Sequence, residues 1–167
     1  MQKSSEYALE VIEEVAEEFA QTFGRSYGNG IYKSYKAEDA KILLFAVGSI
    51  AAECRGCVDK LRKEGIKVGL ISLKIFRPFP VNYMRKAFSN AKLAVVFDRD
   101  IGYGYEGILS YELKAALYAA DNRPYVKGYI VGLGGRNVSQ EMLIDGIKKA
   151  INTQDKNAMQ KDVNTEM

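Results

Sequence analysis

From Asp39 onward, short apolar runs alternate with longer amphipathic ones, and this rhythm limits the possible folds more than any other feature of the chain. The runs Lys41–Val47, Lys67–Leu73, Leu93–Asp98 and Val126–Val131 are nearly continuous in β-branched and apolar residues. Such runs read as strands covered on both faces, the habit of a parallel sheet. Between and after them, Ser49–Lys63, Val81–Ala91, Gly107–Ala120 and Ser139–Ile151 read as helices, since apolar residues recur there at helical spacing. Gly65 stops the first helix and Pro78-Phe79-Pro80 leads into the second. Strand–helix alternation of this kind predicts a parallel sheet with helices on both faces and right-handed crossovers.

The region upstream follows a different pattern. In Ser4–Phe23, Leu9, Ile12, Ala16, Phe19 and Phe23 form one apolar stripe, which predicts an amphipathic helix that Gly24 ends. Gly28-Asn29-Gly30 reads as a turn and Ile31–Tyr35 as a short edge strand. Beyond Ile151 the chain is polar without periodicity and reads as a tail. The expected organisation is a connector helix and turn over 1–29, one α/β domain over 30–152, and a disordered tail over 153–167.

Composition removes much chemistry. The chain has no histidine, which excludes Ser-His-Asp and Cys-His catalysis and every His-liganded metal site. Its two cysteines, Cys54 and Cys57, are too few to hold zinc or an iron–sulfur cluster alone. The net charge of +3 conceals an asymmetry: residues 1–23 carry six glutamates against Lys3, and the basic residues prevail elsewhere. Those bases are interspersed with acids and lack a base-stacking aromatic motif, so no nucleic-acid partner is expected. The longest apolar run, Ile42–Val47, is too short to cross a bilayer, and no apolar stretch follows Met1–Glu6 as a secretory leader would. A cytoplasmic chain without a membrane partner is the expectation.

Several motifs carry candidate chemistry. Gly102-Tyr103-Gly104-Tyr105-Glu106-Gly107 matches the glycine pattern of dinucleotide-binding turns and sits between a strand and a helix. Three residues separate it from that strand, and Asp98, Asp100 and Glu106 would repel a pyrophosphate, so a close-packed loop is the competing reading. Cys54-Arg55-Gly56-Cys57 has redox spacing. With Ser49 as N-cap, however, Cys54 falls beyond the turn where the helix dipole activates a thiol, which favours two small packed residues. The backbone of Gly48-Ser49 could meet an anion. Arg77-Pro78-Phe79-Pro80 forms a stiff corner, and Gly132-Leu133-Gly134-Gly135-Arg136 combines close backbone approach with an arginine fork.

Taken in order, Gly24–Gly28, Gly48-Ser49, Arg77–Pro80, Asp98-Arg99-Asp100 and Gly132–Arg136 resemble the C-terminal part of the α subunit of pyruvate:ferredoxin oxidoreductase, over about residues 20–150. The resemblance implies a three-layer α/β/α sandwich with a five-stranded, mostly parallel sheet whose first strand is antiparallel, as in the transketolase C-terminal domain. It implies a parent enzyme that oxidatively decarboxylates a 2-oxoacid, with pyruvate expected, to acyl-CoA and passes electrons to ferredoxin or flavodoxin. Thiamine diphosphate, Mg and iron–sulfur clusters would belong to other parts of that parent, and this chain would hold no cofactor and be inactive alone. Its partners would be the parent's other domains or subunits. The family's strand order would bring Gly48, Ser49, Arg77, Asp98, Asp100, Gly134, Gly135 and Arg136 to one edge of the sheet, as an interdomain contact. The alternative is a stand-alone nucleotide-binding protein using Gly102–Gly107.

Overall fold

The computed structural model describes residues 2–163. Its elements are α1 (Gln2–Phe23), β1 (Tyr32–Tyr35), β2 (Ile42–Val47), α2 (Gly48–Lys63), β3 (Val68–Leu73), α3 (Val81–Phe88), β4 (Leu93–Asp98), α4 (Ile108–Leu117), β5 (Tyr125–Ile130) and α5 (Gln140–Val163). One five-stranded sheet runs in the order β1-β3-β2-β4-β5. β1 lies antiparallel on β3, with Tyr32 opposite Leu73, and the other pairs are parallel. This is the expected three-layer sandwich with an antiparallel first strand.

Alternation along the central strands divides the core in two. Leu44 and Ala46 of β2, Leu70 of β3 and Val95 and Phe97 of β4 face one side, where Cys54, Val58 and Leu61 of α2 and Leu143 and Ile147 of α5 cover them. Leu43 and Phe45, Ile71, and Ala94 and Val96 face the other, against Met84 and Phe88 of α3 and Leu109, Leu113 and Leu117 of α4. A period of two places successive side chains on opposite faces, so an apolar strand needs helices on both.

The element boundaries differ from expectation in places with identifiable causes. α2 begins at Gly48, with Val47 rather than Ser49 in the N-cap position, and no side chain caps it. α3 stops at Phe88, before the expected Ala91; Ser89 donates its hydroxyl back to the Lys86 carbonyl at 2.9 Å and turns the chain. α5 continues to Val163, through residues read as tail. Its Lys, Gln, Ala and Met residues are good helix formers even without an apolar stripe. The remainder of that tail, 164–167, lies outside the described residues. α1 rests against the Gly30 turn, where a Cβ would collide with the Ile12 side chain, and Tyr83 donates a 2.6 Å hydrogen bond to Glu13. Its apolar stripe is partly buried from Leu9 to Phe19 and exposed at Phe23, and Val15 beside the stripe is exposed.

Phe45 is fully buried and meets Phe88 edge-on at 5.6 Å between ring centroids. Phe45→Ala is expected to lower the unfolding free energy by about 3–5 kcal/mol, because a buried aromatic leaves a cavity its neighbours only partly close. Urea denaturation of both proteins measures this; a loss of less than about 1 kcal/mol would contradict the two-face core.

Candidate functional site

Parallel strands all point their carboxyl ends to one edge, and ligands or partners of open α/β sheets meet them where the strand order reverses. From β2 the chain passes to β3 on one side and later to β4 on the other, so the reversal lies between β2 and β4. Every expected site residue lies at or just beyond the carboxyl end of a strand, but the structure divides them among three groups.

The first group joins the ends of β2, β4 and β5. Gly48 has φ 56°, a left-handed value that suits glycine, and turns β2 directly into α2. Arg99, which follows β4, donates to the Ser49 hydroxyl at 3.5 Å. Its Nε also lies close to Gly132, so that a Cβ there would stand 3.1 Å from it. Gly132, Gly134 and Gly135 all have positive φ in the tight turn after β5, which leads to an exposed Arg136. Arg99 is thus the residue that links these loops, although the sequence reading singled it out only within a motif.

Arg77 forms the second group, away from Arg99. Its guanidinium pairs with Glu112 of α4 at 2.5 Å and lies over the Phe76 ring, 4.2 Å from the centroid. Glu112 was not anticipated, because it lies 35 residues away along the chain.

The third group is the Asp98–Asp100 pair, and for Asp98 the expectation of a surface contact needs correction. Asp98 is 4 % exposed and sits beneath the edge. Its two carboxylate oxygens accept hydrogen bonds from the amides of Leu109 (2.8 Å) and Ser110 (3.1 Å), while Asp100 accepts from Ile108 at 3.2 Å. The first three amides of α4 are therefore capped by acids from the end of the preceding strand. Free amides at a helix start attract anions, and here the anions are the protein's own. Gly107 lies so close to Asp98 that a Cβ would overlap the carboxylate. The glycine at that place in the motif is explained by this internal cap. A pyrophosphate would have to displace two carboxylates, so the nucleotide-binding reading loses its anchor.

The cysteines are also accounted for by packing. Cys54 and Cys57 are buried and free, and the Cys57 thiol lies 3.6 Å from the Gln140 carbonyl. Burial raises the Cys57 thiol to about 11, and it raises Cys54 still further, with the neighbouring Cys57 adding to the effect. Burial thus favours the neutral thiol at both positions, as expected of small packed residues. Among the described residues, no group of three or more cysteine or acidic side chains converges as a metal site would require.

This architecture is a three-layer α/β/α sandwich of a fold also found in transketolase-like structures. A split-gene transketolase, an inactive β4 tetramer, superposes with TM-score 0.58 at 14% identity, over 77% of this chain and 43% of that one. A 2-oxoglutarate:ferredoxin oxidoreductase from Magnetococcus marinus superposes with TM-score 0.52 at 19% identity, over 80% of this chain and 21% of that one. Residues 40–143 match the family model of pyruvate:ferredoxin oxidoreductase core domain II, and the chain belongs to that family. Its relatives include a pyruvate synthase subunit PorA of Thermotoga maritima, 38% identical over 71% of this chain. A ketoisovalerate oxidoreductase subunit VorA of Pyrococcus furiosus is 41% identical over 68% of it. The chain spans 30% of the length of each.

Burial raises the Asp98 carboxyl to about 6 from an ordinary 3.8; the Leu109 and Ser110 amides oppose the rise, and the charge of Asp100 adds to it. A carboxyl with a raised native pKa binds its proton more tightly when folded, so its stabilising contribution is complete below about 4 and lost as pH rises through about 6. Asp98→Asn should remove that dependence. The stability of the variant relative to the parent chain is expected to improve by about 2 kcal/mol between pH 4 and pH 7, as shown by denaturant midpoints. A difference that stays flat across this range would contradict the assignment.

Proposed function

We propose that the chain is a structural and assembly domain within the α subunit of a thiamine-diphosphate-dependent 2-oxoacid:ferredoxin oxidoreductase, with pyruvate as the 2-oxoacid. The observation that carries this reading is the match of residues 40–143 to core domain II, supported by relatives that are pyruvate synthase and ketoisovalerate oxidoreductase subunits. The parent converts its substrate to acyl-CoA and passes electrons to ferredoxin or flavodoxin in the cytoplasm. Thiamine diphosphate, Mg and the iron–sulfur clusters reside in its other domains or subunits. The α4 amides that could meet a phosphate are occupied by Asp98 and Asp100, which supports placing the diphosphate elsewhere. Among the described residues, no helix is long and apolar enough to cross a membrane.

In this reading 30–152 is the folded unit and 1–29 the connector to a neighbouring domain. The carboxyl edge is the contact: Gly48, Ser49, Arg77, Asp100, Gly134, Gly135 and Arg136 meet the neighbour, and Asp98 holds the edge in place from below. A surface with both charge signs sets register and selects partners more than it adds affinity.

Calorimetric titration of the isolated chain with NAD, FAD and thiamine diphosphate is expected to give no binding heat. Tight binding of a dinucleotide would instead establish the nucleotide-binding alternative. Replacing both Arg77 and Arg136 by alanine in the complete enzyme is expected to weaken assembly. Unchanged assembly and turnover would remove the edge as a contact.

A further inference from the structure

The glycine-rich turn after β4 loses its nucleotide reading, yet it has a form that internal packing does not explain. Tyr103 is 102% exposed, Tyr105 68% and Ile101 40%. Val47 at the end of β2, Ile130 at the end of β5 and Leu133 beyond it are exposed at the same edge. Three separate segments thus present apolar side chains to solvent at the carboxyl ends of β2, β4 and β5. Exposed apolar side chains gathered at one edge of a folded domain point to a contact.

The turn is held firmly at its base. The amide of Gly102 donates to the Glu106 carbonyl at 3.0 Å and that of Tyr105 to the Gly102 carbonyl at 2.9 Å. The Glu106 carboxylate accepts from the Ser110 hydroxyl (2.9 Å) and from the Lys114 ammonium (2.6 Å). Asp98 and Asp100 fasten the start of the loop to the first turn of α4, and the Tyr105 ring packs against Tyr111 at 5.8 Å. Gly104, at φ 70°, forms the apex between the two tyrosines. A tyrosine held out on a stiff turn offers a large contact area with little side-chain freedom left to lose, the property of paratope tyrosines and interface anchors.

The charges around the turn indicate its partner. The nearby acids are engaged internally: Asp98 and Asp100 by backbone amides, Glu106 by Lys114, and Glu112 by Arg77. Arg99 and Arg136 make no ion pair among the described residues. The tyrosines are thus flanked by two arginines without an ion pair, while the exposed Asp100 is directed to the Ile108 amide, and the complement of the arginines is an apolar recess bordered by carboxylates. The aliphatic side chains of Val47, Ile130 and Leu133 offer no stacking surface for nucleic-acid bases, which favours protein over nucleic acid.

We infer that Ile101–Tyr105 is a docking knob, whose two tyrosines, flanked by Arg99 and Arg136, enter an apolar, carboxylate-edged recess on another domain or subunit of the parent oxidoreductase. The identity of that partner rests on the function proposed above; the knob itself rests on geometry.

The test is tyrosine nitration with tetranitromethane, mapped by mass spectrometry, on the purified complex that carries 2-oxoacid-oxidising activity. In the intact complex Tyr103 and Tyr105 are expected to be at least about tenfold less modified than in the dissociated chain. Tyr103→Ser removes a side chain with no buried contact, so the melting temperature of the chain should hold while the dissociation constant of the assembly rises about tenfold or more. Full nitration of Tyr103 in an intact, active complex overturns the knob and leaves the parent assignment standing. Absence of the chain from any complex that oxidises 2-oxoacids overturns the assignment and the named partner with it. Two further results would also overturn the inference: an isolated chain that dimerises and becomes monomeric on Tyr103→Ser, or a single-stranded oligonucleotide that protects Tyr103.

Discussion

The structure depends on burying both faces of β2 and β4, the adjacent strands at the centre of the sheet. Leu43 to Ala46 and Leu93 to Asp98 are buried without interruption, so neither strand has a face that water could occupy. Helices must cover both sides, and the crossovers that deliver them send the strands in one direction. The common direction gathers the loops after β2, β3, β4 and β5 along one edge. Hydrophobic burial in the middle of the sheet is therefore what brings Ser49, Arg99 and the Gly132–Arg136 turn together, with Arg77 in a separate group at the same edge.

At that edge a single buried carboxylate organises the local chemistry. Asp98 is part of β4 and accepts from the amides of Leu109 and Ser110, so strand and helix are fastened by charge-assisted hydrogen bonds inside a poorly hydrated site. Removing the carboxylate from water has a penalty, which appears as its raised pKa; capping α4 offsets part of it. The same arrangement explains why a motif with dinucleotide-like glycines does not act as an anion cradle. It also gives the Tyr103–Tyr105 turn a rigid foundation. An internal cap and an external knob are two consequences of the same short connection between β4 and α4.

The chain belongs to the core domain II family, and its polar interior groups are largely satisfied within the fold. Buried thiols, occupied helix amides and paired acids leave the interior chemically quiet. What remains available lies outside: uncovered apolar side chains on α1 and at the carboxyl edge, with two arginines free of ion pairs among the described residues. A domain whose interior is satisfied and whose surface is incomplete is suited to position other parts of an enzyme.

The sequence by itself determined the layered fold, because apolar periodicity records burial directly: the strands over 42–47, 68–73 and 93–98 coincide with their expected spans to within one residue. It also determined the chemistry that is missing, since a chain without histidine and with two cysteines has few donors to offer. Element ends were less legible. α5 passes Ile151 because helix propensity persists where the apolar stripe fades, and α2 starts at Gly48 because backbone conformation, not the Ser49 side chain, sets its first turn. The pairings were not legible at all. Arg77 with Glu112, Arg99 with Ser49 and Asp98 with the start of α4 depend on which side-chain directions converge after the sheet has closed. The same holds for Tyr103, since tyrosine is compatible with either a core or a surface and only the folded chain fixes which. Local sequence encodes the period and propensity of each element; the direction of a side chain and the identity of its neighbour arise from contacts between distant segments, and those exist only in the tertiary structure.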